Sequence, residues 1–305
     1  MKKVSVSVPA TIANLGAGLD CLALALNLRS TVELWEISHG LEVDVEGEGA
    51  DTDRMPLDST NLIVRAAEKV FEKVGQRPSG LRVHAVNVIP LSAGMGASAA
   101  ARVGGLAAAN ALTDSRLSRD EILRLAYELE GHAHTATAAL FGGLAVVSAN
   151  AEELVQRSLP LPPLKVIIAL PALRLSAAEA YAALPEKVPL KDAVFNLGHA
   201  LLTAQALATG DFELLRWAVA DRLHQPYRQR LIPGCEAAMA QARQAGARAV
   251  CLAGQGPALA AFAPDNHEEI AGAMKNAFEA SGAACRTFIL PVDRQGVQVQ
   301  LSVTR

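Results

Sequence analysis

The sequence has few cysteines, no long apolar run and no excess of positive charge, and each absence excludes a class of protein. Its four cysteines are scattered without a CxxC pair, which is typical of reduced core thiols rather than of a disulfide framework or a zinc site. No run of about 18 apolar residues occurs, so no membrane-spanning helix is predicted. The net charge of −3 lacks the basic field of a general nucleic-acid-binding protein. These features predict a soluble cytoplasmic protein.

The sequence does contain enough apolar residues for a large core. Apolar residues make up 51% and charged residues 19% of the 305 positions, which excludes general disorder. This length suits one large or two ordinary domains. Residues 159–164 carry three prolines and form the predicted passage between the domains. We therefore expect an N-terminal domain of residues 1–160 and a C-terminal domain of residues 161–305.

Strand and helix patterns mix in both halves, which predicts the α+β class. Alternation of polar and apolar residues, or a short apolar run, indicates a strand, and apolar residues three or four positions apart indicate a helix. Strands are predicted at residues 3–8, 31–36, 41–46, 81–89, 141–148, 165–170, 249–253, 286–290 and 297–303. Helices are predicted at residues 61–75, 99–112, 118–130, 177–183, 193–208, 212–221, 235–245 and 268–281. The helix at 99–112 is so rich in Ala and Gly that it must pack very close to a neighbour.

The strongest local motif is the glycine-rich segment at residues 90–100, Pro-Leu-Ser-Ala-Gly-Met-Gly-Ala-Ser-Ala-Ala. Glycines let a backbone approach a ligand closely, and a helix start presents free N–H groups that suit a phosphate chain. The segment is not a Walker A loop, because no Gly-Lys-Ser/Thr follows, and it lacks the third glycine of a dinucleotide fingerprint. A tight turn from strand to helix is the alternative interpretation.

This segment resembles the P-x-x-x-G-L-G-S-S-A-A motif of the GHMP kinases. Residues 9–22, Pro-Ala-Thr-Ile-Ala-Asn-Leu-Gly-Ala-Gly-Leu-Asp-Cys-Leu, are similar to the P-A-T-S-A-N-L-G-P-G-F-D-C-L segment of the homoserine kinases within that superfamily. Further similar segments lie at residues 130–143, 188–196, 221–228 and 254–257. The resemblance implies a two-domain fold, with an N-terminal domain like ribosomal protein S5 domain 2 and a ferredoxin-like C-terminal domain. It also implies ATP- and Mg²⁺-dependent phosphorylation of L-homoserine, a step of threonine biosynthesis, and it is compatible with a homodimer.

The resemblance assigns roles to residues at matching positions. Ser98 and Glu130 would hold Mg²⁺, with Glu130 also a catalytic residue, and Asn61 would lie near the adenine. The ATP phosphates would contact Pro90, Leu91, Ser92, Ala93, Gly94, Met95, Gly96, Ala97, Ser98, Ala99 and Ala100. The amino-acid substrate would contact Asn14, Asp20, His132, Thr135, Tyr181 and Arg228. Taken singly, Asn14 and Asp20 also suit turns, and Glu130 suits an ordinary exposed helix end.

Several positions depart from the family pattern, and they cluster at the implied site. Ala97 replaces a serine, and His134 and Thr135 replace an aspartate and an asparagine. Tyr181 stands where an arginine would bind the substrate carboxylate, and hydroxyls are missing from the segment at residues 252–258. His134 either accepts a proton in place of the aspartate, as a catalytic residue, or lines the site passively.

Three hypotheses therefore stay open from the sequence. The chain is a homoserine kinase with rearranged substrate contacts, a kinase for a different small alcohol, or a catalytically weakened relative with a binding or regulatory role. Ser98 and Glu130 favour a kinase, because they retain the oxygen ligands that suit Mg²⁺. His134, Thr135 and Tyr181 favour one of the other two.

Overall fold

The computed structural model describes residues 2–50, 52, 54–150 and 152–303, which form two β-sheets covered by helices. The strands are β1 (Lys2–Ala13), β2 (Leu22–Ile37), β3 (Gly40–Gly47), β4 (Gly80–Asn87), β5 (Leu144–Ala149), β6 (Leu154–Leu159), β7 (Lys165–Pro171), β8 (Ala249–Leu252), β9 (Leu259–Phe262), β10 (Cys285–Pro291) and β11 (Gln298–Val303). The helices are α1 (Leu62–Val74), α2 (Ala97–Leu112), α3 (Arg119–Glu130), α4 (His134–Phe141), α5 (Ala177–Ala182), α6 (Leu190–Thr209), α7 (Phe212–Ala218), α8 (Gln225–Arg228), α9 (Cys235–Gln244) and α10 (His267–Ala280).

The first sheet has the strand order β11-β1-β2-β4-β3, and β5 pairs with both β2 and β6. Its neighbours are antiparallel except β3 and β4, which run parallel. In β1, Val4, Val6 and Val8 are fully buried, whereas Ser5 and Ser7 between them are partly exposed. This alternation places one face of the sheet against α2, which packs along β1 and β2.

The last strand changes the expected division of the chain. The chain passes from the first sheet to the second between β6 and β7, within the proline-containing segment. However, β11 returns to the first sheet, where Leu301 lies opposite Val4 of β1. The boundary between residues 1–160 and 161–305 stays a prediction, but the sheets place β11 with the first unit. A strand pattern does not reveal its partner, so the sequence could not show this.

The second sheet has the order β10-β7-β9-β8 and is antiparallel throughout. Helices α9 and α10 pack on it, around a core that contains Ile167, Leu252 and Phe278. A second, larger core cluster includes Leu24 from the first sheet and Phe262 from the second. The two units therefore share a continuous apolar core, which fixes the relative positions of the loops between them.

The α+β class and the two-unit arrangement expected from the sequence are confirmed. The sequence patterns missed β6, β9, α4 and α8, which are short. The strand expected at residues 141–148 was partly wrong, because Phe141 ends α4 and the strand begins at Leu144. Among the described residues, no helix has both the length and the apolar character that a membrane crossing requires.

Two adjacent glycines explain how the Ala-rich helix α2 packs. A Cβ on Gly104 would lie 2.7 Å from Cγ2 of Val32, and a Cβ on Gly105 would overlap the carbonyl oxygen of Ile63 at the start of α1. The close packing expected from the sequence is therefore confirmed. Because α2 begins at the glycine-rich segment, this packing also fixes where its N-terminus points.

The substitution Gly105→Ala should destabilise the protein, although alanine favours helix. The added Cβ meets backbone that cannot move freely, and overpacking typically costs about 1–3 kcal/mol. Gly198 lies within α6, where a Cβ meets nothing within 4 Å, so Gly198→Ala should stabilise by roughly 0.5–1 kcal/mol. Urea unfolding of both variants measures the difference, and equal gains in the free energy of unfolding would contradict this account of α2.

Candidate active site

The N-terminus of α2 presents unpaired backbone donors. Gly96 is the N-cap at φ +75° and provides no side chain. The first donor within the helix is the N–H of Ala100, which donates to the Gly96 carbonyl at 2.9 Å. The N–H groups of Ala97, Ser98 and Ala99 therefore have no partner inside the helix, and with the helix dipole they suit an anion.

The glycines of this segment make room for the protein itself. A Cβ on Gly94 would overlap the carbonyl oxygen of Ala253, and a Cβ on Gly96 would overlap Oγ1 of Thr11. The nearest neighbours of these glycines are therefore β1 and the loop after β8, and their contact with a phosphate chain stays a prediction. A larger residue at Gly96 would first displace the segment from β1.

The segment turns its apolar side chains inward and its hydroxyls outward. The side chains of Pro90, Ala93, Met95, Ala99 and Ala100 are buried, whereas Ser92 and Ser98 are exposed. Most of the eleven residues assigned to ATP phosphates can therefore offer only backbone atoms to a ligand. Leu91, Ser92, Ala97, Ser98 and Ala100 also line a cavity of about 240 Å³.

Asn61 lies in the wall of this smaller cavity, where its side chain caps α1. Its Oδ1 accepts from the N–H of Ile63 at 2.9 Å, and its Nδ2 donates to the carbonyl of Pro56 at 2.7 Å. Both polar groups are therefore occupied by the protein. Arg54, which sequence reasoning missed, lines the same cavity, and its guanidinium contacts Oγ of Ser92.

A larger cavity of about 860 Å³ shares Ser92, Ala97 and Ser98 of the glycine-rich segment with the smaller one. All of the predicted substrate contacts line it, and they come from both halves of the chain: Asn14, Asp20, His132, Thr135, Tyr181 and Arg228. His134, Ser98 and Glu130 line it as well. The fold thus brings together residues up to 214 positions apart (Asn14 and Arg228), in contact with the N-terminus of α2.

Glu130 is the centre of a polar cluster in this cavity. Its side chain is only 3% exposed, so the alternative of an ordinary exposed carboxylate is wrong. Oε1 accepts from Oγ of Ser98 at 3.0 Å and from Nη1 of Arg102 at 2.6 Å. Oε2 accepts from Oγ1 of Thr135 at 3.3 Å. The hydroxyl that replaces the family's asparagine therefore still contacts Glu130.

Arg102 is the functional candidate that sequence reasoning missed. It lies one turn after Ser98 on α2, and it is the only charged residue in that helix. Its guanidinium contacts both Ser98 and Glu130. A lone arginine in an Ala- and Gly-rich run was the available signal, because such a residue lies on the same helix face as the residue four positions earlier.

The donor set suits Mg²⁺. A carboxylate and a hydroxyl 3.0 Å apart are hard oxygen ligands, and Mg²⁺ usually takes one or two protein groups beside phosphate oxygens. Ser98 and Glu130 are thus the residues that would hold the ion. The Arg102 guanidinium contacts both of these groups.

Asn14 and Asp20 form a turn in the wall of the larger cavity. Asn14 has φ +59°, and its Oδ1 accepts from the N–H of Asp20 at 2.9 Å. Its Nδ2 donates to the carbonyl of Gly254 at 3.1 Å, so Asn14 also fastens β1 to the loop after β8. Asp20 keeps a 57% exposed side chain and is the one of the two that is available to a ligand.

His134 is buried beside Asp20. Its Nε2 lies 3.9 Å from Oδ1 of Asp20, and its Nδ1 has no hydrogen-bond partner among the described residues. Burial lowers the pKa of His134 to about 4, and the neighbouring His132 adds to the shift while Asp20 opposes it. His134 is therefore neutral near pH 7 and a weak base, which favours passive lining over proton transfer.

Arg228 is held in place by a buried network. It is 2% exposed, and its Nε donates to the carbonyl of Ala180 at 3.2 Å. His224 donates from Nε2 to the carbonyl of Gly16 at 2.7 Å, so its Nδ1 accepts from Nη1 of Arg228 at 3.3 Å. Among the described residues, Nη2 makes no hydrogen bond, which leaves a donor for a ligand in the cavity.

Tyr181 lies at the rim of the larger cavity, on α5. Its side chain is 70% exposed, whereas Arg228 is buried on the same side of the cavity. Arg228 therefore provides a guanidinium in this part of the cavity, where Tyr181 stands in place of the family's arginine. Burial lowers the pKa of Arg228, with Asp20 and Asp221 opposing the shift, and arginine remains charged at neutral pH.

Known proteins share both the sequence and this architecture. Residues 61–143 match the family described as GHMP kinases N terminal domain, and residues 203–280 match GHMP kinases C terminal. The chain is 40% identical over 299 residues to "Homoserine kinase" of Caldicellulosiruptor bescii, which covers 97% of this chain and 96% of that protein. It is 42% identical over 281 residues to "Homoserine kinase" of Moorella thermoacetica, covering 92% and 94%. The chain belongs to the homoserine kinase family of the GHMP kinases.

A solved structure supports the same placement. The crystal structure of homoserine kinase from Cytophaga hutchinsonii superimposes with a TM-score of 0.89 at 28% identity, covering 98% of this chain and 97% of that one. The resemblance and the two-domain GHMP kinase fold expected from the sequence are thereby confirmed. The departures at His134, Thr135 and Tyr181 occur within a family member.

Acid should destabilise this family member through His134. The pKa of His134 is about 4 in the folded protein and about 6.5 for an accessible histidine, so the unfolded chain binds more protons between these pH values. The free energy of unfolding should therefore fall as the pH falls from about 6.5 to about 4. At about 1.4 kcal/mol per pKa unit, the loss should reach a few kcal/mol.

The variant His134→Gln should lose this dependence. Urea unfolding at pH 7 and pH 4.5 gives the difference for both proteins. His39→Gln, at an exposed histidine for comparison, should retain the wild-type slope. An unchanged slope in His134→Gln would show that other groups cause the acid sensitivity.

Proposed function

We propose that this chain transfers the terminal phosphoryl group of ATP to the hydroxyl of L-homoserine, giving O-phospho-L-homoserine for threonine biosynthesis. The observation that carries the proposal is the larger cavity, which joins the anion-binding N-terminus of α2 to the buried guanidinium of Arg228. One end suits a phosphate chain and the other a carboxylate. Both substrates of the reaction thus have complementary groups within one space.

ATP would lie along the glycine-rich segment. The smaller cavity, with Asn61 in its wall, adjoins the N-terminus of α2 and would take the nucleoside part. The N–H groups of Ala97, Ser98 and Ala99 would bind phosphate oxygens, as helix N-termini do. Ser98 and Glu130 would hold Mg²⁺, which screens the charge of the phosphates.

Homoserine would be bound by its charges. Nη2 of Arg228 is the donor left for its carboxylate, and an arginine can form a charge-assisted bond worth about 1.5–3 kcal/mol. The exposed carboxylate of Asp20 lines the same cavity and would pair with the ammonium group. Two opposite charges at separate points orient an amino acid, which leaves its hydroxyl to face the α2 N-terminus.

Catalysis would depend on positioning and charge more than on a base. Phosphoryl transfer has a loose transition state in most analyses, so little proton abstraction is needed at the attacking hydroxyl. The lowered pKa of His134 agrees with this, because a group with that pKa is a poor base at neutral pH. We therefore propose His134 as part of the wall of the site and Glu130 as its anionic centre.

A different small alcohol is the second candidate substrate. Tyr181 occupies the position of an arginine and is largely exposed, so the carboxylate end of the site has one guanidinium fewer than the family pattern. An alcohol that lacks the carboxylate would lose less binding free energy from the absence of an arginine at this position. The role of Arg228 separates the two candidates.

The variant Arg228→Met should raise KM for homoserine about ten- to a hundredfold, the loss expected for one charge-assisted contact. The KM for ATP should stay within about twofold, because Arg228 does not line the smaller cavity that would take the nucleoside part. A coupled assay of ADP release measures both constants. Thermal unfolding and nucleotide binding identify any general damage to the fold.

The matched control uses 3-aminopropan-1-ol, which is homoserine without its carboxylate. Wild type and Arg228→Met should handle this compound equally poorly. If wild type prefers it to homoserine, the second candidate replaces the first. If neither compound is phosphorylated although ATP binds, the proposed reaction is wrong.

We also propose that two copies of the chain pair through α6. Five large apolar side chains are exposed along that helix, and four of them are spaced four, three and four positions apart: Leu190, Val194, Leu197 and Leu201, with Leu202 beside the last. This spacing forms one continuous stripe, and the same stripe on a second copy can cover it about a two-fold axis.

The four unpaired cysteines, three of them buried, suit the reducing cytoplasm in which we place the enzyme.

The double variant Leu197→Glu with Leu201→Glu should shift the protein towards the monomer, because it places charges in the apolar stripe. Sedimentation velocity over a range of concentrations measures the mass. Val155→Glu, at an exposed apolar residue of β6, is the control and should leave the mass unchanged. A wild-type monomer at high concentration would refute the pairing.

A further inference from the structure

Arg102 holds the two groups that the proposed function gives to the metal. Its Nη1 donates to Oε1 of Glu130 at 2.6 Å and also contacts Oγ of Ser98. The three side chains line the larger cavity beside the N-terminus of α2. A cation is thus already present between the carboxylate and the hydroxyl.

Glu130 needs such a partner because its carboxylate is buried. A carboxylate out of water is stable only when it is paired and hydrogen-bonded. The groups that face it are Ser98 and Arg102 from α2, Thr135 from α4, and His132, whose Nδ1 lies 3.7 Å from Oε2. His132 is partly exposed, so Arg102 is the permanent positive charge in this set.

We propose that Arg102 competes with the divalent cation for Glu130 and Ser98, and that it must release both before Mg²⁺ binds. This inference rests on the proposed function, because it assumes that nucleotide and metal bind at the start of α2. The competition is direct, since Ser98 must present to the metal a lone pair that the guanidinium now occupies, and Oε1 of Glu130 is shared in the same way.

The displaced guanidinium would stay in the cavity. Arg102 has a flexible side chain that is 18% exposed, and it begins on the helix whose N-terminus would bind the phosphates. Arginine binds phosphate oxygens well. Arg102 would thus leave Glu130 and bind a phosphate oxygen of the nucleotide. Metal binding and nucleotide binding would therefore be cooperative, because the nucleotide offers Arg102 a new partner when the metal takes its former one.

The variant Arg102→Met tests the competition through metal affinity. Mn²⁺ serves as the probe, and electron paramagnetic resonance counts free Mn²⁺ with and without the non-hydrolysable nucleotide AMP-PNP. We expect the variant to bind Mn²⁺ about tenfold more tightly than wild type without nucleotide, within the range typical of coupled sites. Arg102→Lys, which keeps the charge but loses the planar fork, should fall between the two.

The matched control is Arg124→Met, at an exposed arginine of α3, the helix that ends at Glu130. It changes the net charge equally and should leave Mn²⁺ affinity as in wild type. In the Glu130→Gln background, Arg102→Met should have a smaller effect on Mn²⁺ affinity, because only the contact with Ser98 is left to compete with the metal. Unchanged or weaker Mn²⁺ binding by Arg102→Met alone would overturn the proposal.

Thermal unfolding covers the case in which Arg102→Met folds poorly. Loss of the partner of Glu130 should lower the melting temperature of the metal-free variant, and added Mg²⁺ should raise it more than it raises that of wild type. Equal shifts in both proteins would contradict the competition. If Arg102→Met binds Mn²⁺ more tightly as expected but the wild type does not phosphorylate homoserine, only the proposed function is refuted. If the wild type phosphorylates homoserine but Arg102→Met binds Mn²⁺ no more tightly, only this inference is refuted.

Discussion

The site depends on the close approach of three backbone segments at the start of α2. Gly94 lies against Ala253 of the loop after β8, Gly96 lies against Thr11 of β1, and Asn14 hydrogen-bonds to Gly254. None of these contacts leaves room for a larger side chain at the glycines. They join the two units where the anion-binding N–H groups emerge, so the direction of α2 and the width of the larger cavity are set together.

This constraint gives the loop after β8 a role that its sequence does not suggest. The family pattern has hydroxyls there, and this chain has Ala253, Gln255 and Ala258 instead. Backbone atoms, however, make the contacts to β1: the N–H of Gly254 donates to the carbonyl of Ala13 at 2.9 Å. The loss of hydroxyls therefore leaves the support of the glycine-rich segment intact.

The sequence predicted the elements and the site members better than it predicted their contacts. Motif spacing placed Glu130 and Arg228 in one cavity although they lie far apart in the chain, because spacing along a known fold carries tertiary information. The burial of individual side chains was harder to predict from the sequence. Burial makes Glu130 a site centre rather than an exposed helix end, and it makes His134 a weak base. Burial arises from all neighbours together, so no local pattern could supply it.

The departures from the family pattern divide according to the charge that they affect. At Glu130, Thr135 still donates a hydroxyl where the pattern has an amide, so the anionic centre keeps its hydrogen bonds. At the end of the cavity proposed to bind the carboxylate, Tyr181 adds no charge, and Arg228 is buried instead among Ala180 and His224. Burial strengthens the remaining guanidinium, because a charge acts over a greater distance in a medium of low dielectric constant. Arg228 can therefore bind the carboxylate of the proposed substrate without the arginine that Tyr181 replaces.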